Sequence, residues 1–337
     1  MPLVNQEQTV LVVQEGLGKV VLFAASDPFR RSEIKVGEKP HEIELTADGR
    51  TAYVSNFGLL EGNYRVGTPG TTISVLDVEG GVERGRFELP PGATAPHGLK
   101  LRPPRRSELY TNAEEGSGAM VVFAADSGAV LRTFPLPPGV HNFVFGADGA
   151  SLFAFTMQGE VYRIGADSGE VMARAVTGSP RGLAWTADSR HLMVSGRNEI
   201  LFLDPARLEV ERRMSGLGAG QIFYPAATPD GRWILAPAVL DGVVLVVDAA
   251  TGAVAHRIET GSPLLLAFSP DGKQAWVSNV TIPAGIFAPP VKPAAGGVVR
   301  LDLETFGTTA IPAVPDANGL AIAISIGPRQ LGSGTFA

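Results

Sequence analysis

Pro40-His41-Glu42-Ile43-Glu44-Leu45-Thr46-Ala47-Asp48-Gly49-Arg50-Thr51-Ala52-Tyr53-Val54-Ser55-Asn56 is the stretch that decides how this chain folds. An apolar run meets an Asp-Gly turn, and a second run rich in β-branched and aromatic residues follows, ending in Ser-Asn. Two such runs about such a turn predict a β-hairpin. The phrase returns around Asp148-Gly149, Asp188-Ser189, Asp230-Gly231 and Asp271-Gly272, the last copy closing on Ala275-Trp276-Val277-Ser278-Asn279. A degenerate copy runs from Ala95-Pro96-His97-Gly98 to Tyr110-Thr111-Asn112 without the Asp-Gly turn.

A second phrase follows the first: a strand running into Asp and a Thr-Gly or Ser-Gly turn, as in Val243 to Gly252 and Val161 to Gly169. Together the two phrases supply four short strands per unit. The position seven before each turn Asp is His41, His141, Arg181, Phe223 and Leu264, with His97 joining by its Pro-His pair. These positions recur at intervals of roughly 40 to 56 residues. Four strands at that spacing predict the blade of a β-propeller. Near the C-terminus, Asn318-Gly319-Leu320-Ala321-Ile322-Ala323-Ile324 reads as a first strand with no successor. The N-terminal part begins mid-blade, with Thr9 to Gln14, Lys19 to Ala24 and Arg31 to Val36 as second, third and fourth strands. The two fragments, 8–38 and 317–326, complete one blade between them, which leaves the ring no open edge. The expected fold is therefore all-β: one domain over 1–337, a propeller of seven four-stranded antiparallel blades.

The Tyr-Val-Ser-Asn and Trp-Val-Ser-Asn strands, preceded by Pro-His and followed by Asp-Gly or Thr-Gly turns, resemble those of the YVTN-repeat seven-bladed propellers along nearly the whole chain. Members of that family include surface-layer repeat proteins, lactonases, lyases and redox-enzyme subunits. The resemblance therefore implies the architecture and leaves the chemistry open.

Composition narrows the choices. Of 337 residues 45% are hydrophobic and 18% charged. That is enough apolar material for a large core. The net charge is −6, without a basic block. A phosphate backbone finds no footprint there, so nucleic acid is not an expected partner. The absence of cysteine removes disulfides, thiolate metal ligands and thiol nucleophiles. No apolar run approaches the length of a membrane span. Met1 to Glu7 lacks the basic and apolar regions of a signal peptide, which makes the cytoplasm the expected location.

In a propeller the first strand of each blade lines the central channel, so the His41 position recurs around the channel mouth. In ring order it is Asn318, His41, His97, His141, Arg181, Phe223 and Leu264. Three of the chain's five histidines thus fall on consecutive blades. Converging imidazoles are the usual ligands of Zn, Cu, Fe and Ni, and three of them leave positions for water or substrate. His41, His97 and His141 are the expected ligands of one divalent transition metal (Zn, Fe, Cu, Ni or Mn). Arg181 is placed to grip a substrate carboxylate. Asn318 and Phe223 complete the mouth as substrate contacts. Glu114 and Glu115, expected in the loop after Tyr110-Thr111-Asn112, are candidates for fourth ligand, for a partner orienting a histidine, or for general base. The repeated Asp residues before Gly are turn formers.

Two connections are long, 57–70 on the second blade and 280–297 on the last, and both emerge on the histidine face. Tyr64, in the first, is a candidate substrate contact. Long apolar loops in a compact domain serve as lids or as binding loops. Two readings follow: a metal-dependent hydrolase or lyase acting on a small anionic or carbonyl-bearing molecule, or a scaffold that grips a protein partner with the loops while the histidines are structural.

Overall fold

The computed structural model describes residues 8–60, 63–282, 294–312 and 314–324. These residues form seven four-stranded antiparallel sheets arranged as the blades of a ring, with one short two-stranded hairpin beside them. Blade 1 joins Gln8–Gln14, Lys19–Ala24 and Asp27–Lys35 to the distant strand Ala317–Ile324, which pairs with Gln8–Gln14 on the inner side. Blade 2 consists of Pro40–Leu45, Thr51–Asn56, Thr72–Asp77 and Val82–Glu88. Blade 3 runs from Ala93–Leu101 through Glu108–Gly116 and Ala119–Ala124 to Val130–Pro135. Blade 4 opens with Val140–Phe145 and Ser151–Thr156, blade 5 with Leu183–Trp185, blade 6 with Ala226–Ala227 and blade 7 with Pro263–Phe268. The closure expected for 8–38 with 317–326 is present over its described part; residues 325 and 326, like Met1 to Glu7, lie outside the described residues.

The second strand of each blade is apolar on both faces because a neighbouring blade covers each. In Gln8–Gln14, Leu11 and Val13 pack against Ile43, Val54 and Leu76 of blade 2. Val10 and Val12 turn the other way, toward Trp276, Val298 and Ile311 of blade 7. The alternation of a strand thereby becomes two separate cores. One apolar layer of this kind fills each of the seven gaps around the ring. Each fully buried aliphatic or aromatic side chain contributes about 1.5–3 kcal/mol.

The repeated aspartates are turn formers, as their spacing predicts. Thr46 Oγ1 donates to Asp48 Oδ1 at 2.6 Å, and Arg50 N donates to the same oxygen at 3.1 Å. Thr186–Asp188, Thr228–Asp230 and Ser269–Asp271 repeat the arrangement. In the second phrase Asp248 and Asp302 each accept from two backbone N–H groups.

Blades are also stapled by polar side chains. Tyr53 Oη donates across to the Ala125 carbonyl of blade 3 at 2.5 Å, and Tyr110 Oη to Ala166 of blade 4 at 3.1 Å. The Tyr of the strand phrase is therefore an inter-blade hydrogen-bond donor whose ring fills the apolar layer.

Candidate functional site

The site begins with a backbone irregularity. In five blades the first strand carries a β-bulge at the channel-mouth position. Pro40 pairs with Asn56 and Ile43 with Val54, so His41 and Glu42 together oppose Ser55. His97 and Gly98 likewise oppose Asn112, and Leu264 and Leu265 oppose Ser278. A bulge re-aims side chains that strict alternation would send to opposite faces.

The bulge leaves backbone groups outside the ladder, and the residue facing it takes them up. Ser55 Oγ accepts from Glu42 N at 2.9 Å, and Asn112 Oδ1 accepts from Gly98 N at 2.8 Å. The same side chains reach the next blade, Ser55 Oγ donating to the His97 carbonyl at 3.1 Å and Asn112 Nδ2 to the His141 carbonyl at 3.0 Å. Asn112 occupies the place of Ser55 rather than Asn56, one residue earlier in the phrase than its Tyr-Thr-Asn spelling suggests. Upstream, Lys39 and Ala95 hold left-handed conformations immediately before proline, with φ of 42° and 54°. Such a placement costs about 1–3 kcal/mol and swings each Pro-His pair into the mouth.

The three imidazoles form a column. His41 and His97 have ring centroids 4.1 Å apart, and His97 and His141 4.2 Å apart, with tilts of 39° and 40°. They are 2%, 0% and 4% exposed. The described parts of the connection, 57–60 and 63–70, reach the column: Leu59–Leu60 and Asn63–Gly67 pair as a small hairpin, and Phe57 sets its ring edge-on to His41 at 5.7 Å and to His97 at 5.0 Å. Tyr64 packs against Phe57 at 5.3 Å, and its hydroxyl lies 3.2 Å from both carboxylate oxygens of Glu114. Glu114 Oε1 is 3.0 Å from His141 Nδ1.

The expectation of one ion held by all three imidazoles is revised by this geometry. His97 separates the outer two rings, and the donor atoms fall into two overlapping sets, each within 4.8 Å: His97, His141 and Glu114, and His41, His97 and Glu42. Each set is two histidines and one carboxylate, a donor combination used by hydrolytic zinc and by non-haem iron. His141 Nδ1 and Glu114 Oε1 are separated by 3.0 Å. That spacing suits two ligand atoms that each stand about 2.1 Å from one ion.

The two sets differ in what else claims the carboxylate. Glu42 is buried and already accepts from Leu99 N at 3.0 Å, from Lys100 Nζ at 2.5 Å and from Asn142 Nδ2. Burial pushes its carboxyl up, but the Lys100 ammonium and the His97 imidazole more than offset this, and its pKa is held at about 2. Glu114 faces Tyr64 and His141 instead.

The other expected residues are placed as follows. Glu114 and Glu115 belong to the strand Glu108–Gly116, not to a loop after it, and alternation turns Glu115 outward to solvent while Glu114 faces the column. Arg181 Nη1 donates to the Pro180 carbonyl at 2.8 Å and to the Met157 carbonyl at 3.2 Å. Asn318 is buried, with Nδ2 3.5 Å from Glu15 Oε2. Phe223 packs on the apolar side of the mouth with Val239, Leu264 and Ile282. In the second long connection, Val280–Ile282 and 294–297 continue paired strands, and 283–293 lie outside the described residues. The sequence reading missed Glu42 and Lys100. Their signal was a charged residue on a channel-lining strand, at Glu42 directly beside His41.

The fold is that of a seven-bladed β-propeller with a histidine–carboxylate cluster at its channel mouth. No protein-family model and no curated protein matches the chain. Among solved structures it is similar to a functionally unknown protein from Desulfotomaculum acetoxidans, with 12% identity, 94% of this chain and 99% of that one covered, and a TM-score of 0.74. It is also similar to a chain of the mitotic checkpoint complex, with 14% identity, 91% and 80% covered, and a TM-score of 0.62. At such identities the likeness concerns the fold alone. Among the described residues no helix is long and apolar enough to cross a membrane.

Proposed function

We propose that the protein is a metal-dependent enzyme of the YVTN-repeat propeller type, acting on a small anionic or carbonyl-bearing molecule by hydrolysis or elimination. His97, His141 and Glu114 would hold a divalent transition metal (Zn, Fe, Cu, Ni or Mn). The observation that carries the reading is the convergence of their donor atoms within 4.8 Å beneath the hairpin. Bound there, the ion would supply Lewis acidity toward a carbonyl oxygen. Tyr64, whose hydroxyl lies between Glu114 and His141, is placed to pass a proton at that oxygen. Phe57 shields the column from water, which strengthens every charge interaction inside it.

The competing reading is a protein-binding scaffold, and it rests on the near-complete burial of the three rings. Metal analysis of protein purified without a histidine tag, after exposure to each of the five metals, separates the two. The enzyme reading expects about one ion per chain, lost in His97→Ala; wild-type protein that takes up none of the metals would leave the scaffold standing.

A further inference from the structure

Beyond the histidine column the channel holds a chamber of about 260 Å³ to which all seven blades contribute. Among its lining residues are Leu183, Leu265, Leu266 and Leu320, and the polar Glu42, Glu44, Lys100 and Asn142. We propose that this chamber binds a short neutral alcohol, whose hydroxyl bridges Lys100 and Glu44 while its alkyl chain lies on the leucines. This site goes beyond the metal reading and does not rest on it.

Neutrality follows from how the charges are already matched. Lys100 Nζ lies 2.5 Å from Glu42 Oε2, and Arg106 Nη2 lies 2.5 Å from Glu44 Oε1. Each cation thus has its own carboxylate. A charged guest would bring an ion without a counter-charge into the channel, and confining an unpaired ion is costly.

The hydroxyl follows from the bonding capacity left over. A lysine ammonium has three N–H bonds. Lys100 spends two, on Glu42 Oε2 and on its neighbour's carbonyl, Leu99 O, at 3.1 Å. The bonds to Glu44, from Arg106 Nη2 and from Leu101 N at 3.3 Å, both fall on Oε1, which leaves Oε2 to accept from a guest. Glu42 has Leu99 N and Lys100 on one oxygen and Asn142 on the other. Asn142 spends Nδ2 on Glu42 and Tyr224, and its Oδ1, set against Gly98, accepts from Phe143 N at 2.7 Å. Accessibility agrees: the side chains of Lys100 and Glu44 are 30% and 18% accessible, that of Glu42 only 8%. One donor and one acceptor therefore meet the guest. A hydroxyl accepts from the first and donates to the second. A carboxylate has no proton for Glu44, and an alkylammonium has no lone pair for Lys100. A primary amide has both but brings a further N–H, which is costly to bury without an acceptor. Pockets for drug-sized ligands begin at about 300 Å³. The chamber is smaller than that, which selects a short chain.

Calorimetric titration of the full chain with hexanol, hexanoate, hexylamine and hexanamide tests the assignment. Hexanol is expected to bind at least tenfold more tightly than each analogue. Glu44→Met removes the acceptor and Leu265→Phe fills the apolar wall, and each should weaken hexanol at least tenfold. The Leu265 variant leaves every polar partner in place, so the test stays informative if loss of Glu44 unfolds the protein. Absence of hexanol binding to wild type, an analogue bound within tenfold of hexanol, or a loss of less than tenfold in either variant that folds would overturn the proposal. His97 does not line the chamber, so His97→Ala is expected to keep hexanol while losing metal. The chamber and the metal reading can thus fail separately.

Discussion

Asn112 on blade 3 donates from Nδ2 to the carbonyl oxygen of His141 on blade 4 at 3.0 Å, while its Oδ1 caps the bulge that carries His97. One amide thus sets the backbone of two neighbouring histidines. Ser55 does the same between Glu42 and His97 with a hydroxyl. The polar ends of the repeated strand phrase are therefore positioning residues for the column.

Asn112→Ala leaves the buried Gly98 N–H and His141 carbonyl without that partner. It is expected to cost about 1–3 kcal/mol in urea unfolding and about 10–100-fold in metal affinity. Asn112→Asp retains the acceptor for Gly98 N and should recover part of the stability. A variant as stable as wild type would show that the amide does not hold the bulge.

The two donor sets predict different outcomes for the outer histidines. With His97, His141 and Glu114 as ligands, His141→Ala and Glu114→Gln lose bound metal in elemental analysis and His41→Ala keeps it. The reverse pattern would move the ion to His41, His97 and Glu42.

The hairpin over the column predicts a protection effect. Replacing 59–67 by two glycines should raise the reaction rate of the column histidines with diethyl pyrocarbonate at least tenfold, read by peptide mass spectrometry. The more accessible His191, which pairs with Glu211 at 2.9 Å on a blade 5 turn, provides the internal standard. Unchanged rates would mean that the column is sealed by something other than this hairpin.

Acid sensitivity follows from the carboxylates that bind blades and turns. Hydrogen bonds from Arg132, opposed by partial burial, hold Glu108 below the usual range, and those from Arg102 do so for Asp167. Thr46, Thr228 and Ser269 lower Asp48, Asp230 and Asp271. A carboxylate with a depressed folded pKa contributes stability that is complete above its unfolded value, about 4, and is lost as pH falls through the folded value. Glu44, pushed up by burial, acts in the opposite sense. The urea midpoint should hold steady from pH 7 to about 5 and decline below about pH 4. A midpoint that rises on acidification would contradict this balance.

Seven blades, their closure and the turn aspartates were legible in the sequence because each depends on period and turn chemistry, which are local. The grouping of His41, His97 and His141 was legible for the same reason. What escaped was the two-to-one pairing at the channel mouth. Alternation sends Glu42 to the face opposite His41, and only the bulge opposite Ser55 brings its carboxylate within reach of the column. The partners of Arg181 were hidden similarly, since the Met157 carbonyl comes from the turn of another blade. The loop residues Phe57 and Tyr64 could be assigned to the right face, but their ring contacts depend on a hairpin of only a few residues.

The pairing of Gln8–Gln14 with Ala317–Ile324 has a consequence for synthesis. Roughly 300 residues separate the partners, so at about 5–20 residues per second the earliest strand spends on the order of half a minute on the ribosome before its mate is made. Throughout that interval its inner border offers unsatisfied amides to any passing chain. Nascent copies on one polysome are consequently the setting in which this ring is most open to mispairing.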